Sequence, residues 1–214
     1  MRTEEVTIRS TDGLELEGVV DEPADVRGVF VLCHPHPKMG GTMNAPLLGA
    51  LRDRLVDEGW AVVRFNFRGI GSSEGEPSTG VAEVADAEGA LDLATERFPH
   101  LPMTIGGWSF GAAVAVRTMG AHPEITAGVA IAPSVKPREG VTAGLPHPSE
   151  ISLESPLLFV CAVNDDLVSI GDCREWVEAV PSCGLVELRG ANHFFWAKYE
   201  DLADEVSKWL NGFV

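Results

Sequence analysis

Apolar residues along this chain fall into two periodicities, and the order of those patterns sets the expected architecture. Glu4 to Ser10 (EEVTIRS) and Leu14 to Val20 alternate around Thr11-Asp12-Gly13, a turn signal. That pattern predicts an antiparallel hairpin at the edge of a sheet. Continuous apolar runs follow at Gly28–Cys33 (GVFVLC), Trp60–Phe67, Ile125–Ala132 and Pro156–Val163 (PLLFVCAV), as expected of strands buried on both faces. A further strand is predicted at Gly184–Leu188. Between these runs the spacing is helical. Leu47, Leu48, Leu51 and Leu55 mark a helix over Ala45–Glu58, with Gly59 as its cap. Other helices are predicted at Val81–Phe98 (stopping before Pro99), Ile170–Val180 and Tyr199–Leu210.

Buried strands alternating with helices after an initial hairpin predict an α/β fold. Its central sheet should be mostly parallel, with helices on both faces. At 214 residues the chain suits a single domain, 1–214, with no internal repeat. Pro133–Ser155 lacks periodicity and holds four prolines, so it is read as a long loop, with a short cap as the other option.

The most informative stretch is Pro102 to Ala121, PMTIGGWSFGAAVAVRTMGA. Within it, Gly107-Trp108-Ser109-Phe110-Gly111 fits G-x-S-x-G, a sharp strand-to-helix turn that lifts a serine hydroxyl above a sheet edge. The five-letter pattern occurs a second time, at Gly71-Ser72-Ser73-Glu74-Gly75. That copy runs into the breaker-rich Glu76-Pro77-Ser78-Thr79-Gly80, whereas Ser109 runs into Ala112–Val116, which can pack as a helix. Ser109 is therefore the favoured candidate nucleophile, with Ser73 the alternative.

A serine hydroxyl needs an adjacent base, and the base needs an orienting carboxylate. His193 follows the last predicted strand in Gly190-Ala191-Asn192-His193-Phe194-Phe195, at a strand end where open α/β sheets build their sites. Asp165 and Asp166 follow the strand before it, and either can receive the imidazole N–H. The loop His34-Pro35-His36-Pro37 has two histidines but no accompanying metal-ligand spacing, so no metal is expected. It is read as an oxyanion loop. Prolines lack an N–H, which leaves His36 as a donor alongside Phe110. Gly69-Ile70-Gly71 lacks the third glycine of a dinucleotide fingerprint, having Glu74 in its place, so no cofactor is expected.

Charge narrows the partners. Asp and Glu outnumber Lys and Arg 32 to 16, for a net charge of −16, and only four of the basic residues are lysine. Such a field repels phosphate backbones and anionic membrane surfaces, so neither nucleic acid nor membrane is an expected partner. It also raises salt adaptation as a hypothesis, which equal activity from low to multimolar salt would sink. No apolar run reaches the roughly 18 residues of a membrane span, and the acidic start is not a signal peptide, so a cytoplasmic location is expected. Cys33 and Cys161 sit in apolar runs and read as core. Cys173 and Cys183 are expected to be free thiols in that compartment. A homo-oligomer stays open.

Four segments together resemble the α/β-hydrolase superfamily across nearly the whole chain: HPHPKMGG, RFNFRGIGSSEG, GGWSFG, and the pair NDDLV with ANHFF. The set is most similar to small, lid-poor hydrolases related to dienelactone hydrolases and prokaryotic carboxylesterases. The resemblance implies an α/β-hydrolase fold with Ser109 as nucleophile, Asp165 as acid and His193 as base, in that family's chain order. It also implies that RGIGSSEG is a structural feature near the site. Dienelactone hydrolases proper use a cysteine where this chain has serine, so the resemblance carries acyl transfer rather than the dienelactone substrate. The expected activity is hydrolysis of a small ester or thioester, with a small-molecule acyl compound as the substrate. Trp108, Phe110, Phe194, Phe195 and Trp196 are expected to make the pocket apolar. The competing expectation is a non-catalytic binding or scaffold protein on the same fold, marked by an occluded Ser109 or a His193 turned away from it.

Overall fold

The computed structural model describes residues 1–213. Its centre is an eight-stranded sheet: β1 (Arg2–Arg9), β2 (Glu15–Glu22), β3 (Gly28–Cys33), β4 (Trp60–Phe65), β5 (Met103–Trp108), β6 (Ala127–Ile131), β7 (Leu157–Ala162) and β8 (Cys183–Leu188). In space the order is β1-β2-β4-β3-β5-β6-β7-β8. The β1–β2 and β2–β4 pairs are antiparallel and all later pairs parallel. The N-terminal hairpin thus adds one edge to a parallel sheet. Its strands outrun the expected hairpin at the open end, with Arg2 opposite Glu22, and stop one residue short of it on each side of the turn. Charged side chains hid that extension, because Asp21 is buried in β2 against Arg64 of β4, Oδ2 to NH2 at 2.7 Å.

Helices α1 (Pro46–Asp57), α2 (Glu83–Arg97), α3 (Phe110–Ala121), α4 (Ile170–Glu178) and α5 (Tyr199–Leu210) cover both faces. On one face α1 and α5 close a core around Phe30, Leu32, Trp60, Val62 and Val160. On the other, α2, α3 and α4 pack over Val29, Val31, Val63, Ile105 and Phe159. Strands β3, β4, β5 and β7 are buried at every residue, which is why they read as unbroken apolar runs. The expected strand Trp60–Phe67 ends at Phe65 because Asn66 and Phe67 leave the ladder. The Asn66 N–H donates to Glu17 O at 2.8 Å, and the Phe67 N–H donates to His34 Nε2 at 3.0 Å.

Strand order places the site. From β3 the chain crosses outward to β4, then returns past β3 to β5, so successive connections leave from opposite sides of the β3–β5 pair. Such a reversal opens a crevice at the carboxyl ends of the two strands. His34–Gly41 leaves β3 there, and Ser109 leaves β5 beside it. Segment 133–155 is largely loop. It holds one tight turn bridged by Arg138 and Thr142 and one turn of 3-10 helix at Pro148–Glu150. Its first part walls one side of the crevice, and its later part is tied to α3 and α4, with Arg117 donating to Gly144 O and Trp176 to Pro146 O. Among the described residues no helix is long and apolar enough to cross a membrane.

Candidate active site

Ser109 sits between β5 and α3 with φ 57° and ψ −109°, a backbone region that a side chain makes costly. Tertiary bonds hold it there: the Ser109 N–H donates to Ile131 O at 2.8 Å, and its carbonyl accepts from Ala113 N and Ser134 N, both at 3.2 Å. The flanking glycines are required by space. A Cβ on Gly111 would lie 2.3 Å from His34 O and 2.5 Å from Cys33 O, and one on Gly107 would lie 2.5 Å from Gly111 C. Helix α3 therefore starts in backbone contact with the end of β3.

His193 comes from the loop after β8 and is buried. Its Nδ1 lies 2.7 Å from Asp165 Oδ2 and its Nε2 lies 3.1 Å from Ser109 Oγ. An ionised carboxylate only accepts, so Nδ1 carries the proton and Nε2 offers its lone pair to the serine hydroxyl. The Asp165 carboxylate is fixed in turn, with Oδ1 accepting from Leu167 N and Val168 N at 2.8 Å each. Asp166 points to solvent, so between the two aspartates it is Asp165 that meets the imidazole. Trp108 Nε1 donates to His193 O at 3.1 Å, and Phe195, fully buried, anchors the loop below. The structure thus brings together Ser109, Asp165 and His193 from three separate strand ends.

The loop after β3 is equally constrained. His34 Nδ1 donates to Pro35 O at 2.6 Å while its Nε2 accepts from Phe67 N, which ties the β3 and β4 loops together. His36 Nδ1 accepts from Lys38 N at 3.1 Å, and its Nε2 donates to Val141 O at 2.9 Å. Backbone groups occupy all four ring nitrogens. The N–H groups of His36 and Phe110, in contrast, donate to nothing among the described residues. Gly41 is wedged against this loop, where a Cβ would meet Pro35 O at 2.1 Å.

Burial lowers the His34 imidazole to about 4, against the smaller opposing effect of its bond to Pro35 O. The unfolded chain therefore takes up this proton first, near pH 6.5. The stabilisation from neutral His34 is complete above that pH and is lost as pH falls toward 4, at up to about 1.4 kcal/mol per pH unit. We expect the His34 ring resonances in an NMR titration to stay at their neutral positions at pH 5. Half-protonation of a still-folded His34 near pH 6.5 would contradict its burial.

Ser73, in the second G-x-S-x-G, is tied into the fold. Its Oγ donates to Asn66 O at 2.7 Å and accepts from Glu17 N at 3.0 Å. The loop around it is clasped by Glu17, whose Oε2 accepts from Ser72 N and Asn66 Nδ2, both at 2.9 Å.

Ser109 and His193 open onto a cavity of about 390 Å³ shared with His36, Gly41, Ser134 and Arg138. Its apolar wall includes Met39, Trp108, Leu167 and Phe194. The expected aromatic lining needs correction: Phe110 and Phe195 are buried beneath the site, and Trp196 lies outside, stacked on Phe194 at 5.1 Å. Arg138 and Ser134 carried no sequence signal, because their segment has no periodicity and neither belongs to a motif.

A family model described as serine aminopeptidase, S33 (Hydrolase_4), matches residues 24–155. That span covers well over half the chain and includes the His36 loop and Ser109. The chain belongs to this family, within the α/β-hydrolase superfamily. An uncharacterized protein of Rickettsia prowazekii is 32% identical over 189 residues, which cover 85% of this chain and 78% of that protein. Among solved structures, an α/β serine hydrolase homologue from Coxiella burnetii superposes with TM-score 0.86 at 29% identity, covering 98% of each chain. A lidless α/β serine hydrolase from Xanthomonas campestris superposes with TM-score 0.88 at 25% identity, covering 100% of this chain and 96% of that one. The S33 family match stops before Asp165 and His193, so the proximity of those residues to Ser109 is an observation of this fold alone.

Proposed function

We propose that this S33-family protein is a serine hydrolase that cleaves small esters or thioesters through an acyl-enzyme. The observation that carries the reading is the unbroken chain Asp165 Oδ2–His193 Nδ1 and His193 Nε2–Ser109 Oγ, at 2.7 and 3.1 Å, opening onto a cavity. Ser109 Oγ attacks the acyl carbon while His193 Nε2 takes its proton, and Asp165 stabilises the imidazolium. Negative charge on the carbonyl oxygen is met by the unpaired N–H groups of Phe110 and His36. As the tetrahedral adduct collapses, the bond to the leaving oxygen or sulfur breaks and His193 returns the proton to it. Water then repeats the sequence at the acyl-serine, releasing the acid. Ser109 is only 9% exposed but lines the cavity with His193 turned toward it, which supports the catalytic reading over the binding-protein one.

The family description names an aminopeptidase, but the cavity favours esters. Recognition of a free α-ammonium calls for a carboxylate, and none lines the cavity around Ser109 among the described residues.

Fluorophosphonate labelling with peptide mass spectrometry tests the proposal. We expect one modified peptide, carrying Ser109, retained in Ser73→Ala and absent in Ser109→Ala. Label on Ser73, or none across pH and salt, would overturn it.

A further inference from the structure

Arg138 is a cation with no partner at the wall of the Ser109 cavity. It forms no ion pair among the described residues. Lys136, two residues before it, is neutralised by Asp172, and Arg64, bonded to the cavity-lining Asn44, by Asp21; Lys38 in the His36 loop is likewise without an ion pair among the described residues but does not line the cavity. On its outer side Arg138 shares a second cavity with Asp165 and Asp166. Asp165 is already bonded to His193 and two amides, and Asp166 is exposed and unpaired. The guanidinium therefore has no fixed anion on either side.

Its backbone is held firmly. Arg138 N donates to Thr142 O at 2.7 Å and Arg138 O accepts from Val141 N and Thr142 N at 2.9 Å, closing a tight turn. The same turn is bonded to His36 Nε2 through Val141 O. One short polar chain thus sets the position of Arg138 relative to His36, which also lines the cavity.

Charge around the cavity runs against the rest of the molecule. The chain carries 32 acidic residues and a net charge of −16, yet among the described residues no aspartate or glutamate lines this cavity and Arg138 is its one arginine or lysine. A field of that sign repels anions from most of the surface, so an anionic substrate needs a local exception. A single guanidinium presents a planar fork that matches two oxygens of one carboxylate, whereas a phosphate dianion would remain half-neutralised.

We infer that Arg138 is a specificity-determining residue that binds a free carboxylate on the substrate, so that the preferred substrates are small acidic esters, such as half-esters of dicarboxylic acids. This rests on the serine hydrolase reading above. The reaction is unchanged: ester and water give acid and alcohol, and the second carboxylate is bound without reacting.

Two matched pairs test it on the full chain. Monomethyl adipate against methyl hexanoate places the carboxylate on the acyl side, and 4-acetoxybutyrate against butyl acetate places it on the alcohol side. We expect kcat/KM to favour the acidic member of at least one pair by about tenfold, the yield of one solvent-screened charged contact. Arg138→Gln should abolish that preference, with the loss falling on the acidic ester. Arg138→Lys should restore part of it, and 1 M salt should weaken it in wild type. Preference for the neutral ester in both pairs, or an equal loss on both members in Arg138→Gln, would overturn the assignment.

A binding arm separates this inference from the reading beneath it. In Ser109→Ala, monomethyl adipate should quench or shift the fluorescence of Trp108, which lines the cavity, and Arg138→Gln added to that variant should weaken binding about tenfold. Phosphate should compete poorly, and competition equal to that of adipate would overturn the choice of carboxylate. Arg138-dependent binding with no turnover of any ester would retain the anion site and sink the hydrolase reading. Turnover indifferent to Arg138 would do the reverse.

Discussion

Asp165→Asn is expected to lower kcat for the proposed ester hydrolysis by about 10⁴-fold while leaving the fold and Ser109 in place. The geometry gives the reason. In the native site Asp165 Oδ1 accepts from Leu167 N and Val168 N, and Oδ2 accepts from His193 Nδ1. An asparagine would keep its oxygen on the two amides, the only arrangement that satisfies both donors, and would turn its NH2 toward His193. Nδ1 must then accept, and the imidazole proton moves to Nε2, facing Ser109 Oγ. In that tautomer the ring has no lone pair for the serine proton, so the nucleophile is unactivated even though all distances persist. Thermal unfolding should shift by only a few degrees, and the activity lost should return in part at high pH, where hydroxide substitutes for the base. A loss of tenfold or less would mean that Asp165 does not set the tautomer.

The sequence made these positions visible for a physical reason: Ser109 and Asp165 each follow a strand buried at every residue, whereas His193 follows the half-buried β8 and is marked instead by its own loop, Gly190–Phe195. Roles assigned by tertiary bonds were harder to find. Ser73 and Ser109 share one five-letter pattern, and what separates them in space is that Ser73 Oγ spends both its bonds on Asn66 O and Glu17 N. Asp165 and Asp166 were indistinguishable by spacing, and only the capping amides of Leu167 and Val168 turn one of them inward. The hairpin was under-read because Asp21 and Arg64 are charges inside strands, where alternation ceases to report burial. Arg138 was invisible altogether. It reaches the cavity through a turn closed by Thr142 and held by His36, contacts that leave no periodic trace.

Gly111→Ala is expected to destabilise the fold by about 3 kcal/mol, lowering Tm by about 6–12 °C for a chain of this size. Alanine is ordinarily the better helix former by up to about 1 kcal/mol, so propensity alone predicts the opposite sign. Space decides. The added Cβ would stand 2.3 Å from His34 O and 2.5 Å from Cys33 O, and both atoms belong to backbone that cannot rotate away. Relief requires α3 to withdraw from β3, which would also separate the Phe110 N–H from the His36 N–H and spoil the proposed oxyanion pair. The comparison is Gly49→Ala in α1, where a Cβ meets nothing within 4 Å. That substitution should stabilise by about 0.5–1 kcal/mol. Denaturant melts of the two variants put propensity against packing within one molecule. A stabilised Gly111→Ala would show that the β3–α3 contact yields at little cost, and that the strained serine does not depend on it.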